Sequence, residues 1–161
     1  MRYRAVATGG TFDHIHKGHR ALLSKSFEAG DLVLIGVTSD ELAEREGKSP
    51  DMKYEERVRQ LERYLKSNFP GRKFAIAKLD DYFGPGIASP EVRAIVVSEE
   101  TVSKVPIANE LRAAKGFPPL DVVVVHYVLA EDGERISSTR IRKGEIDDNG
   151  RVLRRRARRG F

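Results

Sequence analysis

Cysteine is absent from the 161 residues. That excludes disulfides, a thiolate zinc site and a cysteine nucleophile. Side-chain amides are nearly absent as well: Gln60, Asn68, Asn109 and Asn149 are the whole set. With charged residues at 33%, so few thermolabile groups point to a hot environment. No apolar run approaches the roughly 20 residues needed to span a bilayer, so no membrane is expected among the partners. Met1-Arg2-Tyr3-Arg4 leads straight into a short strand, so no signal peptide is expected and a cytoplasmic location is. There is no internal repeat, no low-complexity linker and no second domain. The length suits one domain with a real core.

Positive charge is what the chain has in excess. The formal net charge is +5, and Arg151, Arg154, Arg155, Arg156, Arg158 and Arg159 crowd its end. We therefore divide the chain into a domain over 1–150 and a basic C-terminal tail over 151–161. Clustered arginines can follow a phosphate backbone. No stacking aromatics are interleaved with them, so a solvated tail or helix end is the plainer reading, and nucleic acid is not the expected partner.

Apolar periodicity places strands at 4–8, 31–38, 73–79, 94–97 and 121–129. Helices are expected at 17–29, 54–66 and 101–115. Ser39-Asp40 can cap a short helix, and Ser137 or Ser138 can cap a last one. Asp31 to Thr38 is nearly continuous in apolar residues, the sign of a strand buried on both faces. Strands alternating with helices predict an α/β fold: a parallel five-stranded sheet with helices on both faces.

Two segments carry the chemistry. The first is Gly9-Gly10-Thr11-Phe12-Asp13-His14-Ile15-His16-Lys17-Gly18-His19, and the second Ile136-Ser137-Ser138-Thr139-Arg140. The first is expected to form the turn between a buried strand and a helix, where doubly wound sheets hold phosphates. Gly9 and Gly10 would let the backbone approach a ligand, and Gly18 would leave space for a base or ribose. Thr11 offers a hydroxyl. His16 and His19 offer imidazole N–H groups that stabilise growing negative charge. Nothing resembles a base–nucleophile pair. His14, His16 and His19 could instead ligate a metal, but no cysteine completes a set.

These two segments together resemble the HxGH nucleotidyltransferase superfamily, whose members share a Rossmann-like nucleotidyltransferase fold. Within it, Tyr54-Glu55-Glu56-Arg57-Val58, Val97-Ser98-Glu99-Glu100-Thr101, Asn109 and Ser138 to Asp147 are similar to the archaeal and eukaryotic type of phosphopantetheine adenylyltransferase. The resemblance covers about residues 3 to 150. It implies transfer of AMP from ATP to pantetheine 4′-phosphate, with Mg2+ accompanying the nucleotide. The bacterial enzymes are oligomers, whereas a monomer or a small homo-oligomer is implied for this type.

Carried over by motif, Thr11 would orient the attacking phosphate and His19 would stabilise the reacting α-phosphate. His16, Gly9, Gly10 and Gly18 would bind ATP, as would Ser137, Ser138 and Thr139. Lys48 resembles a family lysine that contacts phosphate, although Lys53 could do the same. Arg140 would pair with a phosphate or be a surface charge. Asn109 would contact ribose or face water. Asp13 is near enough in sequence to be considered for magnesium, but no metal ligands are assigned. Tyr82, Phe83 and Ile107 are candidate lining for the acceptor.

Bacterial enzymes of this activity carry an Arg-Gly-x-Arg segment where this chain reads Ser98-Glu99-Glu100-Thr101. Compensating charge is expected from Lys48, Lys104, Arg112 or Arg140. Cytidylyltransferases and FMN adenylyltransferases share the first motif but show a different downstream pattern. Nicotinamide-mononucleotide adenylyltransferases share Ser-Ser-Thr-x-Ile-Arg but differ in the first motif. A nucleotide- or RNA-binding module using the Arg tail is the alternative from another class.

Overall fold

The computed structural model describes residues 2–81, 84 and 88–153. Tyr82, Phe83 and the arginines from 154 onward lie outside the described residues. Five strands form one sheet: β1 (Tyr3–Gly10), β2 (Gly30–Thr38), β3 (Lys73–Leu79), β4 (Ala94–Ser98) and β5 (Asp121–Val125). Their order is β3-β2-β1-β4-β5, and every pairing is parallel. The helices are α1 (Lys17–Ala29), α2 (Asp40–Arg45), α3 (Tyr54–Asn68), α4 (Val105–Ala114) and α5 (Ser138–Arg142). A 3-10 turn at Val102–Lys104 leads into α4, so the helix expected from residue 101 begins later.

Side-chain alternation along the central strands separates two cores. Val6, Val33, Ile35, Ala94 and Val96 pack with Leu22, Leu23 and Phe27 of α1 and Leu61 and Leu65 of α3. The intervening Ala5, Ala7, Leu32, Leu34 and Ile95 face the other way, towards Val92 and Leu120. On that second side α4 is tied down by buried Arg112, which donates to Pro118 O, Ser89 O and Val92 O at 2.9, 2.9 and 2.8 Å. Right-handed crossovers that proceed to opposite edges of the sheet require this division of the helices. A third cluster of Ala130, Ile136 and Ile146 lies beneath α5.

Two strands differ in length from the expected ones by more than one residue. β1 runs on through Gly9 and Gly10, which pair with Gly36 and Val37 of β2. The two glycines therefore end a strand rather than form a turn. β5 stops at Val125, opposite Ser98, where its neighbour β4 ends. Tyr127 N–H then bonds to the Glu99 carboxylate at 3.1 Å instead of to a strand. The strand at 73–79 and the helix at 17–29 have the expected bounds.

Candidate active site

The strand order reverses between β1 and β4, and their carboxyl ends open into a cavity of about 330 Å3. Doubly wound sheets bind their ligands at such a crevice. The cavity brings together Gly9, Gly10, Thr11, His16, Gly18 and His19 from one side. Lys48 reaches it from the loop after α2, and Ser137, Ser138 and Thr139 from α5 and its cap. The first and last of these segments are more than a hundred residues apart in sequence.

His16 is the N-cap of α1. Its Nδ1 accepts the N–H groups of Gly18 at 3.0 Å and His19 at 3.2 Å. A nitrogen that accepts twice is deprotonated, so the proton of a neutral ring sits on Nε2. Gly18 is required here because a Cβ would lie 2.9 Å from His16 Cε1. It makes room for the imidazole, and it also lines the cavity. The rings of His16 and His19 stack at 3.7 Å.

His19 Nδ1 lies 2.8 Å from His14 O. A carbonyl can only accept, so Nδ1 carries the hydrogen there. The His16 N–H, 3.3 Å from the same nitrogen, is then a close contact and not a bond. Burial, then Arg20, His14 and Arg135, push the His16 ring down to a pKa of about 4. Burial, and after it His16, hold His19 well below the ordinary imidazole value. Both rings are neutral at neutral pH, and His19 has a bare Nε2.

Phe12 makes the turn between β1 and α1 with φ of 53° and its ring fully buried. A bulky residue in that region is strained, and such strain concentrates at functional sites. Its ring sits 5.0 Å from that of His19. Arg57, also fully buried, donates to Thr11 O and Thr38 O at 2.8 Å each, to Met52 O at 3.1 Å and to Asp40 at 2.8 Å. It thereby joins the ends of β1 and β2 to the loop that carries Lys48. Lys48 Nζ lies 3.5 Å from Thr11 Oγ1 and 3.5 Å from Glu46. Lys53 is the N-cap of α3 and does not line the cavity.

Arg140, Asn109, Arg112 and Ile107, all expected at the site, lie elsewhere. Arg140 turns away and pairs with Asp132 and with Glu145 at 3.0 Å. Asn109 Oδ1 accepts Leu120 N–H at 2.7 Å, which fastens α4 to the approach of β5. Arg112 is likewise a buried tie and does not line the cavity. Among the described residues, the cavity's cations besides Lys48 are Lys104, Arg135 and Arg142. Arg142 stands three residues after Thr139, and its Nη2 donates to Thr139 Oγ1 at 3.2 Å. That spacing puts both on one helix face, a signal available in Ser137-Ser138-Thr139-Arg140-Ile141-Arg142 and missed in favour of Arg140.

The acidic Glu99-Glu100 pair serves the loop after β5. Glu99 also bonds His126 at 3.0 Å, and Glu100 pairs with Arg135 at 3.3 Å. The Arg135 guanidinium lies 4.8 Å from the Tyr127 ring centre. Ile107 is exposed and does not line the cavity. One group among the described residues has the composition of a cation site: Asp13, His14 and Asp51. Its donors are already committed. Asp13 Oδ2 accepts from Arg142 at 2.9 Å, and His14 bonds Asp51 at 2.7 Å. A cation there would meet a guanidinium, so the donor set does not fit a resident divalent ion.

The Cytidylyltransferase-like family model matches residues 7–144. A phosphopantetheine adenylyltransferase of Methanopyrus kandleri is 46% identical over 91% of this chain and 93% of its own length. Another, from Methanothermobacter thermautotrophicus, is 43% identical over 96% and 92%. The chain belongs to the phosphopantetheine adenylyltransferase family. Among solved structures, a protein of unknown function from Archaeoglobus fulgidus aligns with a TM-score of 0.67 at 28% identity, over 78% of this chain and 89% of that one. A pantoate-beta-alanine ligase from Francisella tularensis aligns with a TM-score of 0.58 at 12% identity, over 87% and 65%, a likeness of fold alone. The matched range takes in both segments of the cavity, His16 to His19 and Ser137 to Arg142. No described helix is long and apolar enough to cross a membrane.

Proposed function

We propose that the chain transfers AMP from ATP to pantetheine 4′-phosphate, giving dephospho-coenzyme A and pyrophosphate. One observation carries this reading. The His-x-Gly-His and Ser-Ser-Thr segments meet around one cavity, in a chain 46% identical to an enzyme of that name.

An oxygen of the acceptor phosphate forms a bond to the α-phosphorus of ATP as the bond from that phosphorus to the pyrophosphate oxygen breaks. The acceptor needs no general base, since a phosphate monoester has a second pKa of about 6 and is largely dianionic at pH 7. The protein's task is to hold two anions in line and to offset charge in the transition state. Thr11 and Lys48 suit the acceptor phosphate. Neutral His16 can donate through Nε2–H to an ATP phosphate. His19 suits the α-phosphate once it has gained a proton. Ser137, Ser138, Thr139 and Arg142 suit the outer phosphates. Gly9, Gly10 and Gly18 line the cavity, and a side chain at any of them would press on Gly36 and Leu79, on the Phe12 ring or on the His16 ring.

Magnesium enters this scheme with ATP, as part of the substrate. The nearby carboxylates are engaged: Asp13 with Arg142, Glu46 with Lys48 and Glu100 with Arg135. Divalent magnesium in nucleotide sites commonly keeps several waters and is held largely by phosphates.

The test is pyrophosphate release from MgATP with pantetheine 4′-phosphate, beside FMN and nicotinamide mononucleotide. Release with the first alone, and dephospho-coenzyme A by mass, is expected. Release with another acceptor would overturn the acceptor; none with any would overturn the enzyme reading.

A further inference from the structure

The loop that carries Lys48 and the helix that carries Thr139 and Arg142 reach the cavity from distant parts of the chain. One carboxylate touches both. Asp13 is fully buried. Its Oδ1 accepts Met52 N–H and its Oδ2 accepts Asp51 N–H, each at 3.0 Å. The same Oδ2 accepts Arg142 Nη1–H at 2.9 Å. Arg142 in turn lines the cavity and holds Thr139 Oγ1.

Backbone N–H groups alone would satisfy a purely architectural aspartate. Here the carboxylate also restrains a guanidinium at the wall of the cavity. A planar fork held on one side by a buried carboxylate has few orientations left, so its remaining donors are pre-set for an incoming anion. Because one oxygen serves both Asp51 N–H and Arg142, a shift of either is felt by the other.

We propose that Asp13 is a positioning residue: it fixes Arg142 for the triphosphate and, through the same carboxylate, fixes the loop bearing Lys48, so that the two sides of the cavity are set together. This rests on the reading of the cavity as an ATP site, and it leaves the identity of the acceptor aside.

The experiment compares the native chain with Asp13→Asn, Arg142→Gln and the double variant. Binding of a non-hydrolysable ATP analogue is measured by calorimetry without any acceptor. Asp13→Asn keeps the shape and removes the charge. Each single change is expected to weaken binding about tenfold, the order for losing a hydrogen bond to a charged group. The double variant should bind no more weakly than the weaker single, since both changes break one path. Amide exchange at Asp51 and Met52 should quicken in Arg142→Gln, although neither amide touches Arg142.

Analogue affinity in Asp13→Asn within twofold of native, or losses that multiply in the double variant, would overturn the proposal. If Asp13→Asn does not fold, the exchange rates in Arg142→Gln decide: faster supports the bracket, unchanged overturns it. A wrong acceptor would leave all these readouts intact and fail only in turnover. A native chain that binds no ATP analogue would instead overturn the functional reading, and the exchange rates would still judge the bracket.

Discussion

His19 and His16 sit side by side yet are prepared differently. His16 presents a hydrogen on Nε2 while neutral, because its Nδ1 is engaged by two backbone donors. His19 spends its hydrogen on His14 O and faces a ligand with a lone pair, which repels a phosphate oxygen. It can stabilise the α-phosphate only as an imidazolium. The triphosphate's charge favours that form, opposing the burial that keeps the ring neutral without ligand. ATP binding at pH 7.5 should therefore draw a proton onto the native protein that His19→Ala does not take up. Calorimetry in buffers of different ionisation enthalpy reads this difference. The same substitution should lower kcat by roughly a hundredfold while changing ATP affinity by only a few-fold, since the charge is needed chiefly in the transition state. Equal proton uptake in the two proteins would make His19 a packing residue of the stacked pair.

At the scale of the element, α1 depends on a side chain that is also expected to serve the ligand. His16 supplies the acceptor that an Asn or Ser would ordinarily give at an N-cap. His16→Asn keeps an acceptor near Nδ1 and loses the Nε2 donor; His16→Ala loses both. The Ala variant should be less stable than the Asn variant by about 1 kcal/mol, while the two lose similar ATP affinity. Denaturant unfolding set beside calorimetric binding separates these losses, and equal stabilities would remove the capping role. The bounds of α1 were legible because Leu22, Leu23 and Phe27 recur at helical spacing. The end of β1 was not, because Gly9 and Gly10 look like a turn until β2 pairs with them. Arg140 drew attention by standing next to Thr139, whereas helical geometry favours Arg142. Asn109 bonds a backbone amide eleven residues on, which no local pattern announces. The cavity itself was legible because the glycines, histidines and hydroxyls fall in two short segments. The ties that align them, Asp13 and Arg57, bond mostly to backbone groups, which any residue type would offer.

For the whole molecule, the buried imidazoles set how stability follows pH. His16 titrates at about 4 in the folded chain and at about 6.5 when unfolded. Between those values the unfolded chain holds a proton that the folded chain does not, so stability rises with pH through this window. The contribution is complete above about 6.5 and fades as pH falls towards 4. The slope approaches about 1.4 kcal/mol per pH unit for one fully buried ring, and His19, depressed in the same direction, adds to it. Carboxylates that titrate over part of this range contribute in both native and variant chains, so the difference between them reads His16 together with the part of the His19 depression that His16 causes. His16→Asn has no such proton to exclude. Its stability relative to the native chain should therefore improve as pH is lowered from 7.5 to 5, by on the order of 1 kcal/mol for each unit below about 6.5. Urea unfolding at the two pH values measures the change. A constant difference would mean that the His16 ring takes up its proton as readily folded as unfolded, and with it would go the buried, neutral cap on which the start of α1 is built.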